Sequence, residues 1–84
     1  MTKQFVMTDV IQVNPNILGG TPVFKGTRVP VEVFFDHMEA GVTIEEFVQD
    51  FSTVTKEQCV QILELAEHLL TANNLKQLYE SVDR

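Results

Sequence analysis

From Val31 onward the apolar positions recur every three or four residues, the spacing of helices that keep one face in a core. Val31, Phe34, Phe35 and Met38 share such a face, which predicts a first helix over about 31–40, with Pro30 at or just before its first turn and Gly41 as its stop. The next segment, Val42-Thr43-Ile44-Glu45-Glu46-Phe47, carries a complete start signal. Thr43 can cap the backbone while Glu46 reaches back, and Val42 can staple onto Phe47. This predicts a second helix over about 44–50. The device recurs in Val54-Thr55-Lys56-Glu57-Gln58-Cys59 and predicts a third helix over about 56–70 that buries Cys59, Ile62, Leu63, Ala66, Leu69 and Leu70. Asn73-Asn74 reads as a break, after which Leu75, Leu78, Tyr79 and Val82 repeat the helical spacing in a short fourth helix.

The first 30 residues follow another pattern. Phe5, Met7, Ile11 and Val13 alternate as in a strand, interrupted by Asp9. Then all three prolines and three of the four glycines fall between Asn14 and Pro30. Asn14-Pro15 opens a turn, and Val23-Phe24 and Arg28-Val29 flank Lys25-Gly26-Thr27, which predicts a tight hairpin or a hooked extended loop. The expected fold is mainly α: one domain over 1–84, with an extended or β-hairpin arm over 1–30, a three-helix body over 31–70 and a helical tail over 71–84. An 84-residue chain buries only about 60% of its unfolded surface, so a second copy or a partner would help it.

Charge divides the chain along the same line. Residues 1–30 are net +2 and residues 31–84 net −8 within an overall −6. The helical part repels phosphate, and an acidic body with a small basic arm fits a basic protein partner better than bare nucleic acid. One cysteine excludes an internal disulfide framework and suits a reducing cytosol. No apolar run has the length of a signal peptide core or a membrane span, so the expectation is a cytoplasmic protein with no membrane contact.

No catalytic constellation emerges, and neither an enzyme nor a cofactor is expected. Glu64 and His68 stand four apart on one helical face, but no other histidine or cysteine has ligand spacing nearby, so no metal is expected. His37 beside Asp36 reads as a polar surface residue favoured by the end of the first helix. Cys59 lies on the apolar face of the third helix as a buried, inert thiol. The stretch GGTPVFKGT lacks the glycine spacing of a phosphate loop.

A short helix, a turn and a longer helix form the order of a helix-turn-helix unit. As a DNA reader, a dimer would present Lys56, Gln58 and Gln61 from the third helix and hold phosphates with Lys25 and Arg28. Residues 43–70, however, contain one basic side chain against six acidic ones. That balance opposes a groove-reading surface and leaves the unit as a scaffold.

The residues also carry a family resemblance. Ile11, Asn14-Pro15 and the run from Ile17 through Gly19-Gly20-Thr21-Pro22-Val23-Phe24-Lys25-Gly26-Thr27-Arg28-Val29-Pro30-Val31 resemble the signature of the family catalogued as domain of unknown function 433. The likeness continues through Gly41-Val42-Thr43-Ile44-Glu45-Glu46 and Thr55-Lys56-Glu57-Gln58 and covers roughly residues 8–70. It implies a homeodomain-like three-helix body and an antitoxin role against a nuclease of the PIN type. One departure is visible: relatives tend to place a proline after an aromatic residue between helices two and three, where this chain reads Phe51-Ser52-Thr53-Val54, so a looser turn is expected.

On this reading Gly20, Pro22, Lys25, Gly26, Thr27 and Arg28 form the partner-binding segment, a stiff loop whose two cations meet the carboxylates of a metal-dependent ribonuclease. The competing reading has the segment merely wrap the core, with Arg28 capping carbonyls or paired with a glutamate of the second helix. Leu75, Leu78, Tyr79 and Val82 are expected to contribute to an intermolecular contact, in a protein that self-associates.

Overall fold

The computed structural model describes residues 7–71. The expected tail helix and its stripe of Leu75, Leu78, Tyr79 and Val82 therefore lie outside the described residues, as does Phe5. The rest is mainly helical with a small two-stranded sheet near the start: β1 (Ile11–Gln12), β2 (Val23–Phe24), α1 (Val31–Glu39), α2 (Ile44–Asp50) and α3 (Lys56–Leu70). β1 and β2 are antiparallel, with Ile11 opposite Phe24 and Gln12 opposite Val23. The strand expected to reach back to Met7 is shorter than its alternation implied. Met7–Asp9 instead form a single 3-10 turn, and the Val10 amide donates to the Met7 carbonyl at 3.0 Å.

Each helix boundary has a local cause. Pro30 is the N-cap of α1, with φ −63 and ψ 139, and it costs nothing there because a helix start has no use for its missing N–H. At the other end the Val42 amide donates to the His37 carbonyl at 3.0 Å and the Gly41 amide to that of Met38 at 3.0 Å. This six-to-one and five-to-two pairing requires a left-handed residue, and Gly41 supplies φ 86. Both expected capping boxes form. The Thr43 hydroxyl accepts from the Glu46 amide at 3.1 Å while the Thr43 amide donates to Glu46 Oε1 at 3.0 Å. Thr55 and Gln58 repeat the exchange at 3.1 and 3.0 Å. The turn between α2 and α3 is tight rather than loose: the Val54 amide donates to the Phe51 carbonyl at 2.9 Å, and Val54 is buried.

α2 packs against both α1 and α3. The centre of the core is aromatic, with Phe24, Phe34 and Phe47 fully buried. Their ring centroids lie 5.8 Å apart for Phe24–Phe34, 6.3 Å for Phe24–Phe47 and 5.2 Å for Phe34–Phe47. One ring comes from β2, one from α1 and one from α2, so the N-terminal arm is part of the core. Val54, Cys59 and Ile62 complete the cluster, and burial pushes the Cys59 thiol above its ordinary value.

Two expectations about side chains are corrected. α3 buries Cys59, Ile62 and Leu65, while Leu63, Leu69 and Leu70 are exposed. A helix resting on α2 and the small sheet covers one narrow stripe of its apolar arc, and that stripe runs through Leu65. His37 is half-buried rather than a solvated surface residue. Its ring packs edge-on against Phe47 and Phe51 at 5.3 and 5.4 Å, and Nδ1 donates to the Val33 carbonyl at 2.8 Å.

Candidate functional site

The segment from Asn14 to Pro30 is held by bonds that converge from three directions. The Asn14 side chain accepts from the Asn16 amide at 2.8 Å, closing the first turn. The hairpin around Lys25 closes through the Phe24 amide, which donates to the Val29 carbonyl at 3.0 Å. Within it, the buried Thr27 hydroxyl donates to the Phe24 carbonyl at 2.9 Å and accepts from the Val29 amide at 3.0 Å. Thr27 is thus an internal pin of the loop, with its hydroxyl bonded on both sides.

The loop is then tied to the rest of the protein. The Lys25 amide donates to the Val10 carbonyl at 3.0 Å, the Gly26 amide donates to Gln12 Oε1 at 3.1 Å, and Gln58 Nε2 donates to the Lys25 carbonyl at 3.0 Å. Gly26 turns the chain at φ 76, a value that favours glycine, and space around it is open. Phe24, immediately before, is sunk in the aromatic core. A four-residue loop anchored at both faces has little freedom left, so what it displays is displayed in a fixed position.

Lys25 and Arg28 are what it displays. Both side chains are exposed, and no described residue forms a hydrogen bond or ion pair with either. The pairing of Arg28 with a carbonyl or an α2 glutamate is therefore not found among the described residues. Beside Arg28 lies an open groove of about 500 Å³ lined also by Gln12, Ile17, Gly26, Val29 and Thr53. Pro22 is exposed and Gly20 half-buried at the approach to β2.

The other candidate cation has a different fate. Lys56 Nζ bonds Glu45 Oε2 at 3.0 Å between two exposed side chains, and this bond with the Lys56 charge holds the Glu45 carboxyl below the usual range. Gln58 uses its carbonyl oxygen in the capping box and its amide on Lys25. Gln61 is half-buried one turn further on. Three of the five side chains considered for DNA therefore sit on α3, one ion-paired and one bonded at both ends of its amide, in part to the loop itself.

Sequence reasoning missed Gln12 and Gln58 as clasps of the loop, since their bonds span 14 and 33 residues. It also missed Leu18, whose φ of 51 is rare for a side chain without a local hydrogen bond and whose side chain is 45% exposed. Strain of this kind persists only where the surroundings enforce it. Thr21 helps here, its hydroxyl donating to the Leu18 carbonyl at 2.9 Å.

The anchored loop, the clasps Gln12 and Gln58 and the starts of α1, α2 and α3 fall within residues 11–66, the span matched by the model of the family described as protein of unknown function, DUF433. The chain belongs to this family. An uncharacterised protein of Sinorhizobium fredii, y4eO, is 34% identical over 68 residues, which are 81% of this chain and 29% of that protein. The chain thus spans less than a third of that relative's length. No solved structure matches the chain. Among the described residues, no group of three His, Cys, Asp or Glu side chains could hold a metal ion, and no helix is long and apolar enough to cross a membrane.

Proposed function

We propose that this DUF433 member is a protein-binding module, an antitoxin that neutralises a PIN-type ribonuclease in the cytoplasm by docking its Lys25–Arg28 loop on an acidic surface. The observation that carries the reading is the contrast in charge and freedom: two exposed cations with no partner among the described residues, on a loop locked from three sides, set on a chain of net charge −6. A guanidinium held this way can meet a carboxylate in two parallel bonds without first losing conformational freedom. Nucleases that hold magnesium gather carboxylates, so the same contact would compete with the metal. The identity of the target class rests on the family resemblance alone.

The competing reading, a homeodomain-like regulator that places α3 in the major groove as a dimer, has less support. Its lysine on that helix is neutralised by Glu45, and Gln58 has both ends bonded within the protein. The discriminating experiment isolates a nuclease that copurifies with this chain and measures its inhibition by wild type and by Lys25→Ala/Arg28→Ala. The proposal expects the double variant to fold and to lose most inhibition. Undiminished inhibition would sink it, and a mobility shift of upstream DNA that weakens with salt would favour the regulator.

A further inference from the structure

The groove beside Arg28 has a lining whose chemistry points one way. Half-buried Ile17 and Val29 supply its apolar part, and Gln12, Arg28 and Thr53 its polar side chains. Gln12 Oε1 accepts from the Gly26 amide at 3.1 Å. A backbone amide can only donate, so the carboxamide has one possible orientation. Its Nε2 keeps two hydrogens, without a partner among the described residues. The Thr53 hydroxyl and the Arg28 guanidinium also have none there. No described acidic side chain lines the groove, although the chain carries twelve.

We infer that this groove receives an Asp or Glu side chain from a short segment of a partner protein. Its carboxylate pairs with Arg28, supported by Gln12 Nε2 and Thr53 Oγ1, and a neighbouring apolar side chain of the segment rests on Ile17 and Val29. The inference rests on the docking reading above and deepens it: Arg28 reads the acid, while Lys25, which does not line the groove, adds attraction at longer range. Charge complementarity selects the occupant. One guanidinium with two neutral donors matches a single carboxylate. A nucleic-acid strand brings a phosphate at every nucleotide and needs several cations, which the groove lacks on a chain of net charge −6. The volume, about 500 Å³, is that of concave sites that enclose a small ligand, enough for a few side chains. Arg28 is also set in place before binding. Thr27 before it is bonded on both sides, and the Val29 carbonyl after it accepts from Phe24.

The test titrates the full-length, 15N-labelled protein with Ac-Leu-Glu-Leu-NH2 and with Ac-Leu-Gln-Leu-NH2. The acidic peptide should give saturable shifts at the Arg28 Nε–H, the Gln12 side-chain amide and the Thr53 backbone amide, and the neutral one should bind about tenfold more weakly. Gln12→Glu keeps an oxygen for the Gly26 amide but replaces the donor with an anion, so it should weaken the acidic peptide at least about tenfold. Thr53→Val should weaken it several-fold, with no buried contact at stake because Thr53 is exposed. Gln49→Glu, the same change of charge at an exposed α2 residue outside the groove, should leave it unchanged. Equal binding of the two peptides, no shift at these groups, indifference to both groove variants, or inorganic phosphate binding there as tightly as the acidic peptide would each overturn the assignment. The two proposals fail separately. Inhibition of a copurifying nuclease that is lost in Lys25→Ala/Arg28→Ala but kept in Gln12→Glu and Thr53→Val would remove the groove and leave the docking reading. Peptide binding in the groove beside a nuclease indifferent to the double variant would do the reverse.

Discussion

Lys25 and Lys56 carry the same ammonium group, and both stood as candidate contacts, yet the protein uses them in opposite ways. Lys56, on the first turn of α3, lies 3.0 Å from Glu45 on α2, and its neighbour Gln58 is bonded at both ends of its amide. Lys25 contributes only its backbone to the fold. Its amide and carbonyl are tied to Val10 and Gln58, while its side chain, like that of Arg28, is exposed and has no partner among the described residues. The difference teaches that Lys56 and Gln58 of α3 bond within the fold, and that Gln58 positions the loop that carries Lys25 and Arg28. The start of α3 thus also clamps the loop, through Gln58.

Four substitutions would break or sharpen that contrast. Phe24→Ala should have the largest effect, since it removes the ring that joins the loop to Phe34 and Phe47. A loss of about 3–5 kcal/mol in urea unfolding is expected, enough to leave a domain of this size largely unfolded. Gln58→Ala comes next. It opens half of a capping box and frees the Lys25 carbonyl, for a cost of about 1–2 kcal/mol. Faster amide exchange at Gly26 and Thr27 in this variant would show that the clamp reaches the loop. Gly26→Ala forces an L side chain into φ 76 with nothing near enough to clash, so only backbone strain of about 1 kcal/mol is expected. Lys56→Ala should leave the unfolding midpoint where it is, because the pair is exposed and screened.

The last variant has a pH signature. The Glu45 carboxyl titrates lower in the folded protein than in the unfolded chain, so whatever the pair contributes is present at neutral pH and is lost as pH falls through the depressed value. Carbon-detected NMR titration of Glu45 should show its pKa rising toward the ordinary carboxylate range in Lys56→Ala. An unmoved value would mean that the bond to Lys56 is not made in solution.

Local chemistry was readable in advance and remote chemistry was not. Thr43 with Glu46 and Thr55 with Gln58 declare two helix starts within four residues each, and Gly41 declares a stop, because capping satisfies backbone groups with neighbours in the chain. Periodicity gave α3 its length but misplaced its buried stripe, exchanging Leu65 for Leu63, Leu69 and Leu70, since an apolar arc this wide fits more than one rotation. The loop's hairpin was anticipated from Lys25-Gly26-Thr27. Its anchorage was not, because Gln12, Gln58 and Phe24 act across the fold and nothing in their immediate sequence announces it. Thr27 shows the limit most plainly: nothing in its neighbouring residues announces that its hydroxyl bonds both Phe24 and Val29 inside the loop.

The contrast between the two cationic regions reduces to a single comparison of affinities. Isothermal titration of a copurifying nuclease with wild type, Lys25→Ala/Arg28→Ala and Lys56→Ala/Gln61→Ala would measure both regions against the proposed partner. The account predicts at least about a tenfold loss for the loop variant and none for the α3 variant. Binding retained by the loop variant and lost by the α3 variant would contradict it.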